Sequence, residues 1–268
     1  MNPVEEFYDQ HAEDEWTRLE RHRLEFALSL RAMERHLPAP PARVADIGGG
    51  AGRYAITLAQ RGYSVTLADL SPACLDVARC RAAEFGADID RYLHADARNL
   101  SALPDAGFDA VLLQGPLYHL LDRDDRLKAL QEASRILRPG GFIFAGFLGR
   151  YNALLSASVR AAGYVRDAAD ENDAILAAGL YRRGDGQGFV DAWFAHPTEI
   201  PPLMAEAGFA PVDFLACESI LAEREALVNA ADNGLWERWL DILSPIARDP
   251  YILGAAEHML WIGRKAPA

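Results

Sequence analysis

The chain has 268 residues, half of them hydrophobic, and a formal net charge of -12; it can bury one large α/β core, and its acidic balance without a basic run argues against a nucleic-acid partner. No apolar run is long enough to cross a bilayer, and the first residues are acidic where a signal peptide is basic, so we expect a cytoplasmic protein with no membrane partner. Cys74, Cys80 and Cys217 lack C-x-x-C spacing, so neither a disulfide framework nor a metal site is predicted.

The first predicted elements are helical. Residues 4 to 36 carry apolar side chains at mixed three- and four-residue steps, among them Trp16, Leu24 and Met33, and this pattern predicts one or two helices. Prolines between positions 38 and 41 then separate this segment from the first strand.

Residues 43 to 70 predict a buried strand, a glycine turn, a helix and a second buried strand that ends at Asp69. The glycines at positions 48, 50 and 52 follow a G-x-G-x-G pattern, and Arg53 stands where a dinucleotide fold has its last glycine. Asp46, two residues before the turn, would repel a pyrophosphate, because like charges within a few ångströms repel. The stretch therefore favours a cationic ligand.

The segment ADIGGGAGRYA, followed by an acid about 20 residues later, resembles motif I of class I S-adenosylmethionine-dependent methyltransferases. The resemblance implies that S-adenosylmethionine is the cofactor and that the turn of Gly48, Gly50 and Gly52 passes under its methionine part. It also implies that Asp69 bonds both ribose hydroxyls. Asp46 and Leu70, which flank these residues, are assigned to the same cofactor site.

The next helix begins at Ser71-Pro72, and a short third strand is predicted near Asp90 to His94. In the resembled family, an acid after this strand accepts the adenine amino group, which assigns that role to Asp96 with Ala97 beside it. The alternative is that Asp96 is a loop acid that caps Arg98 or the next turn.

A fourth strand is predicted over Phe108 to Gln114, followed by Gly115-Pro116-Leu117-Tyr118-His119. Because ligands bind at the carboxyl ends of strands in an open α/β sheet, we expect Gln114 at the cofactor and Tyr118 and His119 at the transferred group. His119 could act as a general base, since the unperturbed pKa of histidine lies near neutrality. The alternative is a histidine that caps or packs at a helix start.

A helix over 122 to 137 ends at Leu137-Arg138-Pro139-Gly140-Gly141, a recurrent mark of the resembled family, and a fifth strand follows over Phe142 to Gly146. The resemblance covers roughly residues 43 to 148. The stretch from 150 to 188 is too long for a simple crossover and contains the helical AILAAGLYRRG, which suggests an inserted cap. GFAPVDFLAC is predicted as the sixth strand and EHMLWIGRK as the strand that closes the sheet.

The fold class predicted from these elements is α/β, a doubly wound Rossmann-like sheet of seven strands in the family order 3-2-1-4-5-7-6, with the last strand antiparallel. One methyltransferase domain spans 1–268: an N-terminal helical lid (1–40), a cofactor-binding half (41–149), an inserted cap (150–193) and the C-terminal half of the sheet (194–268). In many small-molecule members of the family a lid tyrosine reaches the methionine moiety, which points to Tyr8. Alternatively, Tyr8 belongs to an amphipathic face on the core.

The predicted function is transfer of a methyl group from S-adenosylmethionine to O, N or C of a small molecule. Two alternatives stay open: non-methyl chemistry on the same cofactor, such as its internal cyclisation, and a nicotinamide-dependent oxidoreductase. Arg53 at the third glycine position and the lack of a Tyr-x-x-x-Lys pair disfavour the latter. The apolar C-terminal third, with Trp236 and Trp239, could form a homodimer face.

Overall fold

The computed structural model describes residues 2–160, 162–183 and 188–267, and it begins with three helices. These are α1 (Pro3–Gln10), α2 (Ala12–Arg21) and α3 (Arg23–Glu34). The expectation of one or two helices was wrong, because the backbone leaves the helical conformation at His11 (φ -121°, ψ 19°) and again at His22 (φ -100°, ψ 53°). Each break redirects the chain between consecutive helices.

The cofactor-binding half follows the predicted alternation of strands and helices, with bounds within a few residues of the predicted ones except at the start of the fifth strand. Its elements are β1 (Arg43–Ile47), α4 (Arg53–Gln60), β2 (Ser64–Asp69), α5 (Pro72–Glu84), β3 (Arg91–His94), β4 (Phe108–Leu113), α6 (Pro116–His119), α7 (Arg123–Ile136) and β5 (Leu137–Gly149). Local signals in the sequence set several of these limits. Ser71 caps α5, for example, because its hydroxyl accepts a hydrogen bond from the backbone N–H of Cys74.

The second half of the chain contains the insertion, the last strands and four more helices. Its elements are α8 (Asn152–Arg160), α9 (Tyr164–Asp167), α10 (Ala169–Ala178), β6 (Leu180–Tyr181), β7 (Ala192–Ala195), α11 (Ile200–Glu206), β8 (Phe209–Ala216), α12 (Ala226–Asn229), α13 (Asn233–Ile246), α14 (Pro250–Leu253) and β9 (His258–Lys265). No helix of this inventory is long and apolar enough to cross a membrane, a statement that covers the described residues alone.

The main sheet has the predicted topology. Strands β3, β2, β1, β4 and β5 are parallel neighbours in that order, and β9 lies antiparallel between β5 and β8. Counting β8 as sixth and β9 as seventh, this is the predicted order 3-2-1-4-5-7-6 with the last strand antiparallel. Val44, Leu112 and Phe144 are fully buried in the centre of the sheet, as expected when helices cover both faces.

The prediction of seven strands was wrong in number, because the sheet has nine. Strand β5 runs to Gly149, beyond the last residue that β4 pairs with, Ala145. Its free edge is covered by β7, which pairs in parallel with Leu148 and Gly149, and β6 adds an antiparallel partner to β7. The extension gives backbone partners to a strand end that would otherwise be buried without them.

In the range of the predicted cap (150–193), the described residues form α8 to α10 and the strand β6. The helix expected over AILAAGLYRRG ends at Ala178, because Gly179 adopts a left-handed conformation (φ +73°) and the chain continues as β6. Ala161 and residues 184–187 of this cap lie outside the described residues.

Candidate active site

One cavity of about 290 Å³ lies at the carboxyl ends of β1, β2 and β4, which is where an open α/β sheet binds its ligands. Its volume is at the lower end of the range for small-molecule pockets, roughly 300–1,000 Å³. Its lining residues come from two groups of elements. We call the part lined by the glycine turn and the acids of β1 and β2 the cofactor end, and the part lined by residues of α2, α3 and β9 the far end.

The glycine turn forms one side of the cofactor end. Gly48 and Gly50 have left-handed backbones, with φ of +67° and +55°. A Cβ built on Gly48 would lie 2.4 Å from Pro116 Cγ, whereas a Cβ on Gly50 meets no atom within 4 Å. Gly50 therefore faces open space in the cavity. Gly52 does not line the cavity; it starts α4, and a Cβ there would lie 3.1 Å from that of Ala78.

The acids of β1 and β2 lie next to the turn, as predicted. Asp69 Oδ2 accepts a hydrogen bond from Gly50 N at 2.7 Å, and its Oδ1 accepts one from Ser71 N at 2.8 Å. Burial raises the pKa of Asp69 to about 6 despite these bonds. Burial and the charge of Asp69 together raise the pKa of Asp46 to about 7. Two carboxylates that are costly to ionise side by side favour a ligand that carries positive charge.

Asp96 lines the cofactor end together with Leu70 and Ala97. Its carboxylate accepts hydrogen bonds from the backbone N and the guanidinium of Arg98, the shortest at 2.6 Å, and Arg98 also bonds Asp125. These contacts are the ones expected from the alternative that Asp96 is a loop acid that caps Arg98. The role of Asp96 at the adenine stays a prediction.

Tyr8 of α1 lines the cavity. Its hydroxyl lies 2.8 Å from Nε2 of His119, and Nδ1 of His119 lies 3.2 Å from the backbone oxygen of Asp191. Because a carbonyl oxygen only accepts, Nδ1 carries the ring proton and Nε2 accepts from the Tyr8 hydroxyl. Burial lowers the pKa of His119 to about 4, so the ring is neutral at pH 7. Tyr118 lies beside His119, with ring centroids 4.6 Å apart, and also lines the cavity.

The sequence reasoning missed the far end of the cavity. There, Glu15, Arg18, Glu25 and His258 line one side, and we call these four residues the charged wall. Arg18 donates to both carboxylate oxygens of Glu25, at 2.7 and 3.2 Å. These residues are 3 to 243 positions apart in the chain. Only an analysis of helix faces in the lid could have suggested Arg18 and Glu25, and no local signal marks His258.

The cofactor end fits S-adenosylmethionine on three observations. The side-chain atoms Asp46 Oδ2 and Gln114 Nε2 are buried and lack a hydrogen-bond partner among the described residues, and buried polar atoms are costly unless they are paired. Gly50 offers open space at the turn. The donor set, two carboxylates and an amide, matches the ammonium, sulfonium and hydroxyl groups of that cofactor.

A family model described as "Methyltransferase domain" matches residues 44–141. The ubiquinone biosynthesis O-methyltransferase of Xanthomonas campestris pv. campestris (strain B100) is 33% identical over 126 residues, which are 47% of this chain and 51% of that protein. The chain thus spans about half the length of the curated relatives that it matches.

Solved structures support the fold over nearly the whole chain. A SAM-dependent methyltransferase from Methanosarcina mazei is similar with a TM-score of 0.60 and 19% identity, covering 88% of this chain and 98% of that one. The 1,6-didemethyltoxoflavin-N1-methyltransferase of Burkholderia thailandensis, solved with its substrate and S-adenosylhomocysteine, gives a TM-score of 0.57 and 18% identity, covering 98% and 88%.

Proposed function

We propose that this chain, which carries a class I S-adenosylmethionine-dependent methyltransferase domain, transfers the methyl group of that cofactor to a small molecule. The observation that carries the proposal is that one cavity is lined both by the glycine turn with the acids of β1 and β2 and by residues of α2, α3 and β9. The cofactor end contains the motif residues of the family. The far end is lined by other residues, which would contact the acceptor.

At the cofactor end, the roles follow from position and charge. Asp69, Leu70 and the turn of Gly48 and Gly50 would hold the nucleoside and methionine parts, with Asp46 and Gln114 supplying the polar atoms that now lack partners. Gly52 would act indirectly, by letting α4 start close to α5. Asp96 and Ala97 would line the adenine position. When bound there, S-adenosylmethionine supplies a methyl group made electrophilic by a positively charged sulfur.

Between the two ends, Tyr8, Tyr118 and His119 would enclose the transferred group. The hydroxyl of Tyr8 donates a hydrogen bond to Nε2 of His119. This pair joins the lid to the rest of the site and would exclude water from the site. Tyr118 contacts the same ring and would orient the acceptor. Enzymes that only need to align reactants gain much of their rate from such positioning.

Oxygen is the acceptor atom that we favour, because the curated relatives are named O-methyltransferases. The site belongs, in this proposal, to one domain made of a lid (1–40), a cofactor half (41–149), an inserted cap (150–193) and the rest of the sheet (194–268). A small-molecule acceptor suits a cavity of this size, and the apolar C-terminal third would be the dimer face.

Calorimetric titration with S-adenosylmethionine tests the cofactor assignment. Asp69→Asn removes the charged acceptor proposed for the ribose hydroxyls and should weaken binding by about 10- to 100-fold, since a hydrogen bond to a charged group is worth about 1.5–3 kcal/mol. Asp76→Asn is the matched control, because Asp76 is an exposed acid on the adjoining helix α5. This variant should bind S-adenosylmethionine with wild-type affinity. A wild-type protein that binds no cofactor at millimolar concentration would contradict the proposal.

A further inference from the structure

The start of β9 lies among buried glutamates, which we call the glutamate cluster. Its members are Glu25, Glu218, Glu225 and Glu257. Glutamate is almost never fully buried unless it is paired. The ion-pair partners of the four, counted over the residues that the structure describes, are Arg18, His22 and His258. The cluster therefore contains more acids than cations.

Three donor atoms of this region lie close enough together to bind one metal ion. Glu218 Oε1 lies 2.7 Å from Nδ1 of His258, and Glu25 Oε2 lies 3.7 Å from the same nitrogen. The donor atoms of the three residues all lie within 4.8 Å of one another. The ligands of a tetrahedral zinc ion, each roughly 2.0–2.2 Å from the metal, are roughly 3.4 Å apart. Side-chain movements of about 1 Å would therefore bring the three atoms around one ion.

One carboxylate of the glutamate cluster has no cation of its own. Arg18 donates to both oxygens of Glu25, and Glu218 is bonded to the ring of His258. The side chain of Glu257 is buried, yet it makes no hydrogen bond or ion pair to the residues that the structure describes. Its largest interactions with other charges are with His258 and Glu218, which places its charge beside these two residues. This unpartnered carboxylate is a second sign that a cation is missing.

A divalent cation in place of the Nδ1 proton of His258 would balance these charges. Burial by itself would lower the pKa of His258, but the carboxylates of Glu25 and Glu218 outweigh it and raise the pKa to about 9. The protonated ring thus carries one positive charge against the carboxylates of Glu218 and Glu257. A doubly charged ion on a neutral ring adds one more positive charge, so that the sum over these groups becomes zero.

The neighbouring hydrogen bonds hold the three ligands in place and leave them free to bind. An ionised carboxylate has about four lone-pair sites, and Arg18 uses one on each oxygen of Glu25. Glu218 also accepts from the backbone N of His258 at 3.1 Å, and Cys217 N donates to the backbone oxygen of His258 at 2.8 Å. Ligands of metal sites are commonly oriented by such outer hydrogen bonds.

We propose that Glu25, Glu218 and Nδ1 of His258 bind one divalent transition-metal ion of the zinc type. Imidazole together with carboxylates suits zinc, whereas Mg²⁺ and Ca²⁺ prefer oxygen ligands. Binding forms one bond from the metal to each of the three side chains, and the Nδ1 proton is released to solvent. The ligands lie 193 and 40 positions apart in the chain, so no short spacing in the sequence marks the site.

The ion would connect the lid to the rest of the fold. Glu25 belongs to α3, whereas Glu218 follows β8 and His258 starts β9. Glu25 and His258 also line the cavity, so the fourth position of a tetrahedral ion would be open to water or to a molecule bound there. Nε2 of His258 would then carry the ring proton, because Nδ1 is taken by the metal.

The first test titrates the chelator-treated protein with zinc chloride alone, in competition with a chromogenic zinc chelator. The wild type should bind one ion per chain. Glu25→Gln and Glu218→Gln should each lower the affinity by more than the roughly 10- to 100-fold that losing an outer hydrogen-bond partner costs. His22→Asn is the matched control and should keep wild-type affinity, because its ring lies 6.4 Å from that of His258 but is not among the three donors. Circular dichroism checks that each variant folds, and Glu25→Gln decides if Glu218→Gln does not.

The second test follows hydrogen exchange by mass spectrometry with and without zinc. In the wild type, zinc should slow exchange in both α3 (Arg23–Glu34) and β9 (His258–Lys265), because the ion joins these two elements. In Glu25→Gln it should slow neither, while His22→Asn should respond as the wild type does.

Three results would overturn the inference. They are a wild type that binds no zinc, ligand variants that keep its affinity, and an equal loss of affinity in His22→Asn, which would place the metal elsewhere. Displacement of zinc by millimolar Mg²⁺ would overturn the choice of metal. The titration contains no S-adenosylmethionine, so its outcome is independent of the proposed function.

Discussion

Replacing Gly50 with alanine separates the strain of a left-handed residue from the loss of space for a ligand. Gly50 has φ +55° and a built Cβ with no neighbour within 4 Å. Gly86, after α5, has φ +63° and equally open space, but it does not line the cavity. Both Gly50→Ala and Gly86→Ala place an L-residue in the left-handed region, which costs about 1–2 kcal/mol. Both variants should therefore lose similar stability, which thermal unfolding measures.

Only the Gly50→Ala methyl group projects into the cofactor end. If S-adenosylmethionine lies against the turn, the variant must displace it or shift the loop, and affinity should fall at least about 10-fold, or about 1.4 kcal/mol. Gly86→Ala should bind with wild-type affinity in the same calorimetric titration. Equal affinities for the two variants, at equal losses of stability, would refute the placement of the cofactor over the turn.

Two further predictions concern pH and the lid. The pKa of His258 is raised from 6.5 to about 9, so the stabilisation that the charged ring contributes is complete below about pH 6.5 and is lost as the pH rises towards 9. Across this interval, the free energy of unfolding of the wild type should fall by at most about 3 kcal/mol more than that of Glu218→Gln. Denaturant titrations at each pH would measure this difference. A difference of the opposite sign would contradict the assignment of charge. Asp9 Oδ1 accepts hydrogen bonds from Ser71 Oγ at 2.6 Å and from Ala73 N at 3.2 Å, and so attaches α1 to α5. Asp9→Ala should therefore speed tryptic cleavage in α2, which mass spectrometry would measure. Asp14 is an exposed acid on α2, and the control variant Asp14→Ala should be cleaved at the wild-type rate.

The cofactor half could be predicted because its signals are local. The turn, the helix that follows it and the acid at the end of β2 lie within 28 residues, and neighbouring parallel strands bring their carboxyl ends together. The prediction that Asp69 ends the second strand was confirmed, and its carboxylate accepts a hydrogen bond from Gly50. The strand order was confirmed as well. It could be predicted because the family motifs mark the first five strands and two apolar runs mark the final two.

The remaining features depend on contacts between distant parts of the chain. Glu218 and His258 are 40 positions apart and meet because β8 and β9 pair antiparallel in one register, which no hydrophobic pattern specifies. Strand β6 has two residues, too few for a periodic signal. Arg18 and Glu25 meet because the chain turns at His22. The sequence predicted one or two helices over residues 4 to 36 and did not place a turn at that position.

The two ends of the cavity are encoded in separate stretches of the gene. The cofactor end comes mainly from residues 46 to 98, whereas the charged wall and its apolar neighbours come from residues 15 to 25, 147 and 258 to 259. A combinatorial library that randomises Leu19, Phe147 and Met259 would therefore sample new acceptors without touching the glycine turn or Asp69. Chimeras that exchange only the N-terminal helices and strand β9 with a homologue should inherit the donor's substrate preference and keep the recipient's cofactor affinity.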